Sequence, residues 1–296
     1  MKTTICISMI GLEERVLGIF REKISPVDLY LLFVNEEIEE DERVKTYKKE
    51  ITEKYLVDKE YKYLKSSYFN PFVILKEFNK LQAENIVNFQ KSRTKILLDI
   101  STFNRQNLLV TMRLLRKIMI VPEIEICYTI PNEVNQELSK GASGFSNIPF
   151  FDGKFSIKKK KMLIILMGYE IDRPLLLWRE LEPSRVIVAE GVEPTKEEFY
   201  KKNRDAVETI CKYGHCEITQ ICANDPYKAK EQLIKIFKKE SENYNIFVSP
   251  FNTKLQAVGL YLAWENNPEV QVVMAFPDKF GAWLTKGIKE VKRYRI

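Results

Sequence analysis

The chain has 296 residues, of which 45% are hydrophobic and 30% are charged, and this composition excludes disordered, collagen-like and coiled-coil proteins. Its length exceeds one minimal domain and suits two domains of about 100–150 residues each. The net charge of +6 is compatible with an anionic ligand, but it is too small to indicate an obligate DNA-binding protein. No apolar run approaches the roughly 20 residues of a membrane-spanning helix, so we expect no membrane association.

The cysteines and the first residues bear on the cellular compartment. The chain has five cysteines, an odd number. Glu13, Glu14 and Arg15 interrupt the first apolar stretch, which is not typical of a secretory signal. These features predict reduced thiols and a cytoplasmic protein. The cysteines are Cys6, Cys127, Cys211, Cys216 and Cys222.

The first half of the sequence alternates strand-like and helix-like segments. An apolar strand at residues 4–10 ends at Gly11. Asn70 and Pro71 open an amphipathic helix, since an Asx residue before proline is typical of a helix start. A later strand runs directly into the polar residues 101–104 and another helix. In chain order the predicted elements are strand 4–10, strand 29–34, helix 42–55, a helix from 70, strand 96–100, helix 106–117 and strand 122–126.

The second half repeats this order, which indicates two copies of one module, residues 1–155 and 156–296. Its predicted elements are strands 162–167, 185–189, 217–222, 245–248 and 268–272 and helices 195–211, from 226, and 254–264. The shared motifs are Gly11 with Gly168, Asn70-Pro71 with Asp225-Pro226, Ser101-Thr102-Phe103-Asn104 with Ser249-Pro250-Phe251-Asn252, and Leu138-Ser139-Lys140-Gly141 with Leu284-Thr285-Lys286-Gly287.

The composition of the strands indicates the fold class. Most are continuous apolar runs, which is typical of parallel strands buried on both faces. Strands and helices that alternate through right-handed crossovers give a doubly wound, Rossmann-like sheet. We therefore predict two tandem Rossmann-like α/β domains with mostly parallel sheets, related by internal duplication.

Ligands of open parallel sheets bind beyond the carboxyl ends of the strands, near the point where the strand order reverses. In this chain the residues at those ends are small, polar and rich in hydrogen-bond donors, so we expect them to contact an anionic, nucleotide-like ligand. The ligand-binding candidates are Gly11, Arg15, Asp99, Ser101, Thr102, Asn104, Arg105, Gly168, Arg173, Ser249, Asn252 and Lys254.

The strongest single candidate is the turn after the fourth strand. Ser101, Thr102 and Asn104 precede a helix whose first N–H groups and dipole favour an anion. Arg105 adds a charge-assisted contact, and Lys254 places a cation at the corresponding helix of the second copy. The alternative is that one of these hydroxyl or amide side chains only caps the helix.

Catalytic chemistry has weaker support in the sequence. Glu13, Glu170 and Asp172 follow the first strands and are candidate carboxylate bases; the alternative is that they form structural ion pairs with Arg15 and Arg173. After either first strand there is no Gly-x-Gly-x-x-Gly motif, and the chain has no Walker loop and no Gly-x-Ser-x-Gly elbow. These absences leave no recognised hydrolase or kinase site.

Three further features of the sequence are candidates for metal or phosphate sites. Cys211, His215, Cys216 and Cys222 do not have the spacing of a zinc site, so we predict no metal and no cofactor. The lysines at 158–161 are interpreted as a solvated approach to a strand, with a phosphate-contacting patch as the alternative. The two Leu-Ser/Thr-Lys-Gly motifs are interpreted as turns, with a phosphate cradle as the alternative.

The duplicated module resembles a known family of sensors. The Asp-Ile-Ser-Thr segment at 99–102, with Gly11 and Gly168 after the first strands, resembles the CRISPR-associated Rossmann-fold (CARF) sensors. Two such modules in one chain resemble the SAVED domain, the CARF-derived sensor of bacterial antiphage systems. The resemblance implies a cyclic-oligonucleotide ligand and a separate effector protein. The chain departs from the family at 103–104, where two glycines are usual, and at 249–250, which lacks the aspartate.

Three functions are therefore open at this point. The first is a nucleotide-binding regulatory module, sensing cyclic oligonucleotides in prokaryotic antiphage defence and acting with a separate effector. The second is an enzyme that processes a nucleotide or nucleic-acid phosphodiester on the same scaffold. The third is a non-catalytic interaction subunit of a defence complex. General nucleic-acid binding is not favoured, because the basic excess is small.

Overall fold

The computed structural model describes residues 3–22, 26–89, 94–134, 139–194, 197–280 and 285–296. The chain divides into two compact units. Unit 1 comprises Met1–Asn135 and Trp283–Ile296, and unit 2 comprises Gln136–Ala282. Each unit contains one large sheet and the helices that cover it.

The elements are numbered here in chain order. The strands are β1 (Thr3–Ile10), β2 (Leu29–Asn35), β3 (Tyr61–Ser66), β4 (Thr94–Asp99), β5 (Glu123–Ile130), β6 (Glu133–Val134), β7 (Ser139–Lys140), β8 (Gly144–Asn147), β9 (Lys160–Leu166), β10 (Arg185–Val192), β11 (Glu217–Cys222), β12 (Tyr244–Pro250), β13 (Gln271–Phe276), β14 (Lys279–Phe280), β15 (Thr285–Lys286) and β16 (Glu290–Arg295). The helices are α1 (Gly18–Arg21), α2 (Glu42–Glu50), α3 (Phe72–Ala83), α4 (Arg105–Arg113), α5 (Asp172–Leu181), α6 (Glu197–Ile210), α7 (Pro226–Glu240) and α8 (Lys254–Trp264). The helix start predicted at residue 195 lies outside the described residues.

Unit 1 contains a six-stranded sheet with the order β3-β2-β1-β4-β5-β16. Its first five strands are parallel, with Ile5 of β1 beside Leu29 on one side and Ile96 on the other. The sixth strand, β16, is antiparallel to β5. Every residue of β2 is buried, as expected for a strand that is covered on both faces. The predicted Rossmann-like sheet is confirmed.

Unit 2 repeats this arrangement. Its six-stranded sheet has the order β11-β10-β9-β12-β13-β8, again with five parallel strands and one antiparallel strand at the edge. The strand that begins each repeat, β1 or β9, therefore lies at the same place in its sheet. This equivalence confirms the internal duplication predicted from the sequence.

The two repeats exchange their sixth strands. β8 follows β5 in the chain but pairs with β13, so that Gly144 lies beside Phe276. β16 follows β13 but pairs with β5, so that Glu290 lies beside Ile130. The division predicted at residue 155 therefore differs from the two units of the structure. The predicted boundary put residues 144–147 in the first module and residues 290–295 in the second, without a predicted strand in either place, whereas hydrogen bonding joins each of these strands to the other sheet.

The Leu-Ser/Thr-Lys-Gly motifs lie in two small antiparallel ladders. In unit 1, β15 pairs with β6, and in unit 2, β14 pairs with β7; Leu138 and Leu284 lie outside the described residues. Gly141 and Gly287 follow β7 and β15 with φ of 69° and 70°, a left-handed conformation that favours glycine. This geometry accounts for both glycines as turn residues.

The helices begin where the sequence predicted. Asp225 accepts hydrogen bonds from the N–H groups of the first turn of α7 and precedes Pro226, and Asn70-Pro71 precedes α3. The helices after the fourth strands are the most buried: all of α8 beyond its first residue is buried. No helix in the described part of the chain is long and apolar enough to cross a membrane.

The prediction of five reduced thiols is wrong for two of the cysteines. Cys211, which follows α6, forms a disulfide with Cys216, which precedes β11, and their Cα atoms lie 5.9 Å apart. The turn between the helix and the strand reverses the chain and so brings the two together. Cys6, Cys127 and Cys222 are buried thiols, and burial raises the pKa of Cys127 to about 12.

Candidate functional site

Both sheets reverse their strand order beside the first strand of the repeat. In unit 1, β1 lies between β2 and β4, and in unit 2, β9 lies between β10 and β12. Doubly wound sheets bind ligands at the carboxyl edge of such a reversal. There the backbone after the first strand closely approaches the loop after the fourth, since a Cβ added to Gly168 would collide with the carbonyl oxygen of Phe251. A Cβ added to Gly11 would lie 3.1 Å from that of Thr102.

Asp99 and Ser101 are buried beneath this edge of unit 1. The Asp99 carboxylate accepts hydrogen bonds from Ser8 Oγ at 2.8 Å, from the Ser101 N–H at 3.0 Å and from the Ser101 hydroxyl. Ser101 Oγ in turn accepts the Thr129 N–H at 2.8 Å. Burial raises the pKa of Asp99, although these hydrogen bonds oppose the shift. Both side chains are fully buried, so they hold the loop after β4 rather than face a ligand.

Thr102 and Asn252 perform the same task in the two repeats. Thr102 donates its hydroxyl hydrogen bond to the carbonyl oxygen of Met9 at the end of β1. Asn252 Nδ2 donates to the carbonyl oxygen of Met167, after β9, at 2.6 Å. Ser249, the other candidate of the second copy, is fully buried and donates to the carbonyl oxygen of a β13 residue at 2.8 Å. These three candidates bind the protein itself.

The start of α4 carries buried polar atoms that have no partner in the described part of the chain. Asn104 caps this helix, because its Oδ1 accepts the Asn107 N–H at 2.8 Å. The Nδ2 of Asn104 is buried and has no hydrogen-bond partner among the described residues. In unit 2 the cap is Thr253, which accepts from the N–H of the third residue beyond it at 3.1 Å. The sequence alignment of Asn104 with Asn252 is therefore wrong, because the loop between β12 and α8 is shorter than the loop between β4 and α4.

A buried amide in the first turn of each of these helices also binds the third strand of its sheet. Asn107 Nδ2 donates to the carbonyl oxygen of Ser67, directly after β3, at 3.0 Å. Gln256 Nε2 donates to that of Ile221 in β11 at 3.2 Å. The amide oxygens of Asn107 and Gln256 have no partner within the described ranges. Neither residue was among the candidates predicted from the sequence, although a polar side chain within an apolar helix was an available signal.

Glu13 and Arg15 form a buried ion pair in unit 1. Arg15 Nη2 lies 2.6 Å from Glu13 Oε2, and Arg15 also donates to the Tyr128 hydroxyl at 3.3 Å. Thr285 of β15 donates to the same Glu13 oxygen. Both charged side chains are about 95% buried, and burial counteracts the rise that Glu13 causes in the pKa of Arg15. The ion-pair interpretation is thus supported over a catalytic Glu13 or a ligand-binding Arg15.

The corresponding residues of unit 2 are also engaged. Arg173 pairs with Glu170, and its guanidinium lies 5.2 Å from the centre of the Phe251 ring. Asp172, the first residue of α5, accepts the Gly141 N–H at 2.9 Å. All three candidate bases therefore bind protein partners. The remaining cationic candidates, Arg105 and Lys254, are half-buried first residues of α4 and α8.

Two of the lysines at 158–161 contact the C-terminal ends of helices. Lys159 Nζ donates to the carbonyl oxygen of Ser241, after α7, and Lys161 Nζ donates to that of Leu181 at the end of α5, both at 2.6 Å. Cations at helix C-termini are stabilised by the helix dipole. Within the described residues no group of three or more His, Cys, Asp or Glu side chains could hold a metal ion.

Comparison with known proteins does not assign the chain to a family. No family model matches the chain, and no curated protein matches it. Among solved structures it is similar to an ABC transporter periplasmic solute-binding protein from Actinobacillus succinogenes 130z with bound D-allose, at 14% identity and a TM-score of 0.22. That alignment covers 90% of this chain and 74% of the other.

Proposed function

We propose that the chain is a regulatory protein that binds a nucleotide at the carboxyl edge of the unit 1 sheet. The observation that supports this is the start of α4, where Asn104 Nδ2 and Asn107 Oδ1 are buried without a partner among the described residues. Nearly all buried polar atoms in proteins are hydrogen-bonded. An unpaired donor and an unpaired acceptor at this edge favour a ligand that has both kinds of group, as a nucleotide does.

The phosphate of this nucleotide binds at the N-terminus of α4. The first N–H groups of a helix are not used by its own ladder, and the helix dipole is positive there. Arg105 is the first residue of this helix and adds a positive charge. Residues 36–42, beyond β2, are rich in carboxylates, so the α4 side is the more favourable for an anion.

Unit 2 is less suited to the same ligand. Asn203 of α6 is buried and donates to the carbonyl oxygens of Met167 and Gly168 at 2.6 and 2.8 Å. Asn252 donates to Met167 as well. These amides occupy carbonyl oxygens at the end of β9, and the cap of α8 is Thr253, which has no amide donor like that of Asn104, so we assign the ligand to unit 1.

The resemblance of residues 99–102 supports a finer form of the proposal. In this form the ligand is a cyclic oligonucleotide, the process is antiphage defence in the cytoplasm, and a separate effector protein is the partner. The enzyme alternative has less support, because Glu13, Glu170 and Asp172 each bind a protein group. The interaction-subunit alternative is separated from nucleotide binding by the experiment below.

The proposal is tested by thermal unfolding of the full chain with nucleoside mono-, di- and triphosphates, cyclic dinucleotides and cyclic oligonucleotides. A ligand present at a hundred times its Kd stabilises the native state by about 2.7 kcal/mol. For units of this size that raises the Tm by about 5–10 °C. If no nucleotide shifts the Tm and a stable protein partner copurifies, the chain is an interaction subunit and the proposal is wrong.

Variants of Asn104 test the position of the site. Asn104→Ser keeps a cap oxygen but removes the Nδ2 donor, and Asn104→Asp keeps the cap and adds a negative charge. We expect weaker nucleotide binding in the order wild type, serine, aspartate, with at least a tenfold loss for aspartate. Thr253→Ser changes the equivalent cap of unit 2 and is the matched control. Unchanged binding by Asn104→Asp would place the ligand elsewhere.

A further inference from the structure

Two exposed phenylalanines lie at the carboxyl edge of unit 1. Residues 68–72 read Tyr-Phe-Asn-Pro-Phe and are called the aromatic turn below; they connect β3 with α3. Phe69 is 59% exposed and Phe72 is 46% exposed. Both rings lie within four residues of one turn and are open to solvent, so either could pack against a ligand at this edge.

Hydrogen bonds hold the aromatic turn in one conformation. Ser67 Oγ accepts the N–H groups of Phe69 and Asn70, both at 3.2 Å, and donates to Glu37. Asn70 Oδ1 accepts the Phe72 N–H at 3.2 Å. A ring presented by such a preorganised turn loses little conformational entropy when a ligand packs against it.

The same serine connects the aromatic turn with the start of α4. The carbonyl oxygen of Ser67 accepts the Asn107 amide at 3.0 Å. Asn107 is fully buried, and its Oδ1 has no partner among the described residues. The aromatic turn and the start of α4 therefore both lie next to the Asn107 amide. One nucleotide could reach both places, with its phosphate at the helix start and its base at the turn.

On the basis of the proposed function, we infer that the aromatic turn binds the base of the nucleotide, which stacks on Phe72. Every nucleobase has a π-face, so stacking on an aromatic side chain requires no particular sequence. The charges nearby suit a neutral base: Glu37 contacts Ser67 and the Tyr68 N–H, which disfavours a phosphate there. Burial raises the pKa of Tyr68 to about 12, so this phenol adds no negative charge at neutral pH.

Unit 2 carries a weaker version of the same feature. Asp225 Oδ1 accepts the Tyr227 N–H at 2.8 Å, as Asn70 does for Phe72, and Tyr227 is 39% exposed. Here, however, the cap is a carboxylate, whose negative charge disfavours a phosphate-bearing ligand, whereas Asn70 is neutral. Phe72 is therefore the stacking residue.

The experiment measures binding of base-bearing and base-free probes to the full chain by thermal unfolding and equilibrium dialysis. The probes are the four ribonucleoside triphosphates and cyclic di-AMP, with inorganic triphosphate as the base-free probe. We expect only the base-bearing probes to bind well. Phe72→Leu should weaken them by about 5- to 150-fold, Phe72→Tyr should retain binding, and Tyr227→Leu should have a smaller effect than Phe72→Leu.

Tyr213→Leu is the matched control, because Tyr213 is 56% exposed but lies before β11, at the opposite edge of its sheet. Phe72→Trp gives a second measurement, since a stacked base quenches indole fluorescence. Equal binding of triphosphate and nucleotides with a silent Phe72→Leu overturns this inference and leaves the proposed function standing. Absence of binding by every probe overturns both.

Discussion

Replacing Asp99 tests whether the most recognisable residue of the sequence acts through structure or through the ligand. Its carboxylate accepts hydrogen bonds from Ser8 Oγ, the Ser101 N–H and the Ser101 hydroxyl, and it is fully buried. Asp99→Ala removes the acceptor of all three hydrogen bonds at once. Asp99→Asn keeps one oxygen for Ser101, and its amide can donate to Ser8 if that hydroxyl rotates.

The expected loss follows from the groups that each variant leaves unpaired. A buried donor without an acceptor costs about 1–3 kcal/mol. In Asp99→Ala the two hydroxyls can rotate to other acceptors but the Ser101 N–H cannot, so we expect unfolding to become easier by about 2–4 kcal/mol. Asp99→Asn keeps the acceptor of the Ser101 N–H, so its cost should stay below that of Asp99→Ala.

The pH dependence gives an independent check. Burial raises the pKa of Asp99 in the folded state, so the folded chain binds its proton more tightly than the unfolded chain does. The contribution of Asp99 to stability is therefore largest below the unfolded pKa and falls as the pH rises through the folded value. Asp99→Asn lacks this dependence, so wild type should lose stability relative to the asparagine variant between pH 4 and neutrality.

Urea unfolding monitored by circular dichroism from pH 4 to pH 8 measures both effects, and nucleotide-dependent stabilisation of Asp99→Asn is measured beside it. Since the carboxylate is buried, the asparagine variant should bind nucleotide as wild type does. An alanine variant within about 0.5 kcal/mol of wild type would refute the structural role. Loss of nucleotide binding by the stable asparagine variant would refute the conclusion that Asp99 does not reach the ligand.

Three other predictions concern the fold. A chain that ends at residue 287 lacks β16, so hydrogen exchange should show that the amides of β5 lose protection while those of β13, which is paired with β8, keep it. Loss of protection in both strands would contradict the exchanged pairing. Asp41 caps α2 and binds Arg43 at 2.8 Å, which lowers the pKa of Asp41 to about 2. Asp41→Ala should therefore cost about 1 kcal/mol at neutral pH. A lowered pKa adds stability above the pKa of the unfolded chain, so the stability difference between wild type and variant should be lost as the pH falls from about 4 through 2. Reducing the Cys211–Cys216 disulfide should cost about 2 kcal/mol through loop-closure entropy, an effect that the Cys211→Ser, Cys216→Ser double variant should not show in comparisons with and without dithiothreitol.

Local patterns were sufficient for the elements of the fold but not for its edges. The apolar strands and the Asx-Pro helix starts predicted a parallel sheet in each repeat, because burial on both faces leaves a clear mark on a sequence. β16 has Val291 and Tyr294 among four charged residues, and these two lie three positions apart. The segment therefore has neither the continuous apolar run nor the period of two that indicates a strand, so its pairing with β5 could not be predicted.

The sequence placed the candidate residues at one edge of the sheet, but it could not separate the buried side chains from those near the surface. Ser101 and Asn104 are both polar and adjacent to the end of β4, yet Ser101 is buried with Asp99 and Asn104 caps a helix. Side chains alternate between the two faces of a sheet only as far as the strand extends. Beyond its end, the sequence does not show which side chains are buried and which are exposed. Ser67 was missed as a connecting residue, because its contact with Asn107 is between distant segments.

The exchanged edge strands also constrain how the chain is made. Because β16 follows all of unit 2 along the chain, the nascent N-terminal repeat leaves the ribosome with one side of β5 uncovered until translation has passed through the second repeat. Exposed strand edges of this kind are sites of aggregation during biosynthesis. A single repeat on its own would also leave this strand edge exposed, and two copies could cover their edges by exchanging sixth strands in a domain-swapped dimer. Fusion of two such genes gives a simple evolutionary origin for this architecture.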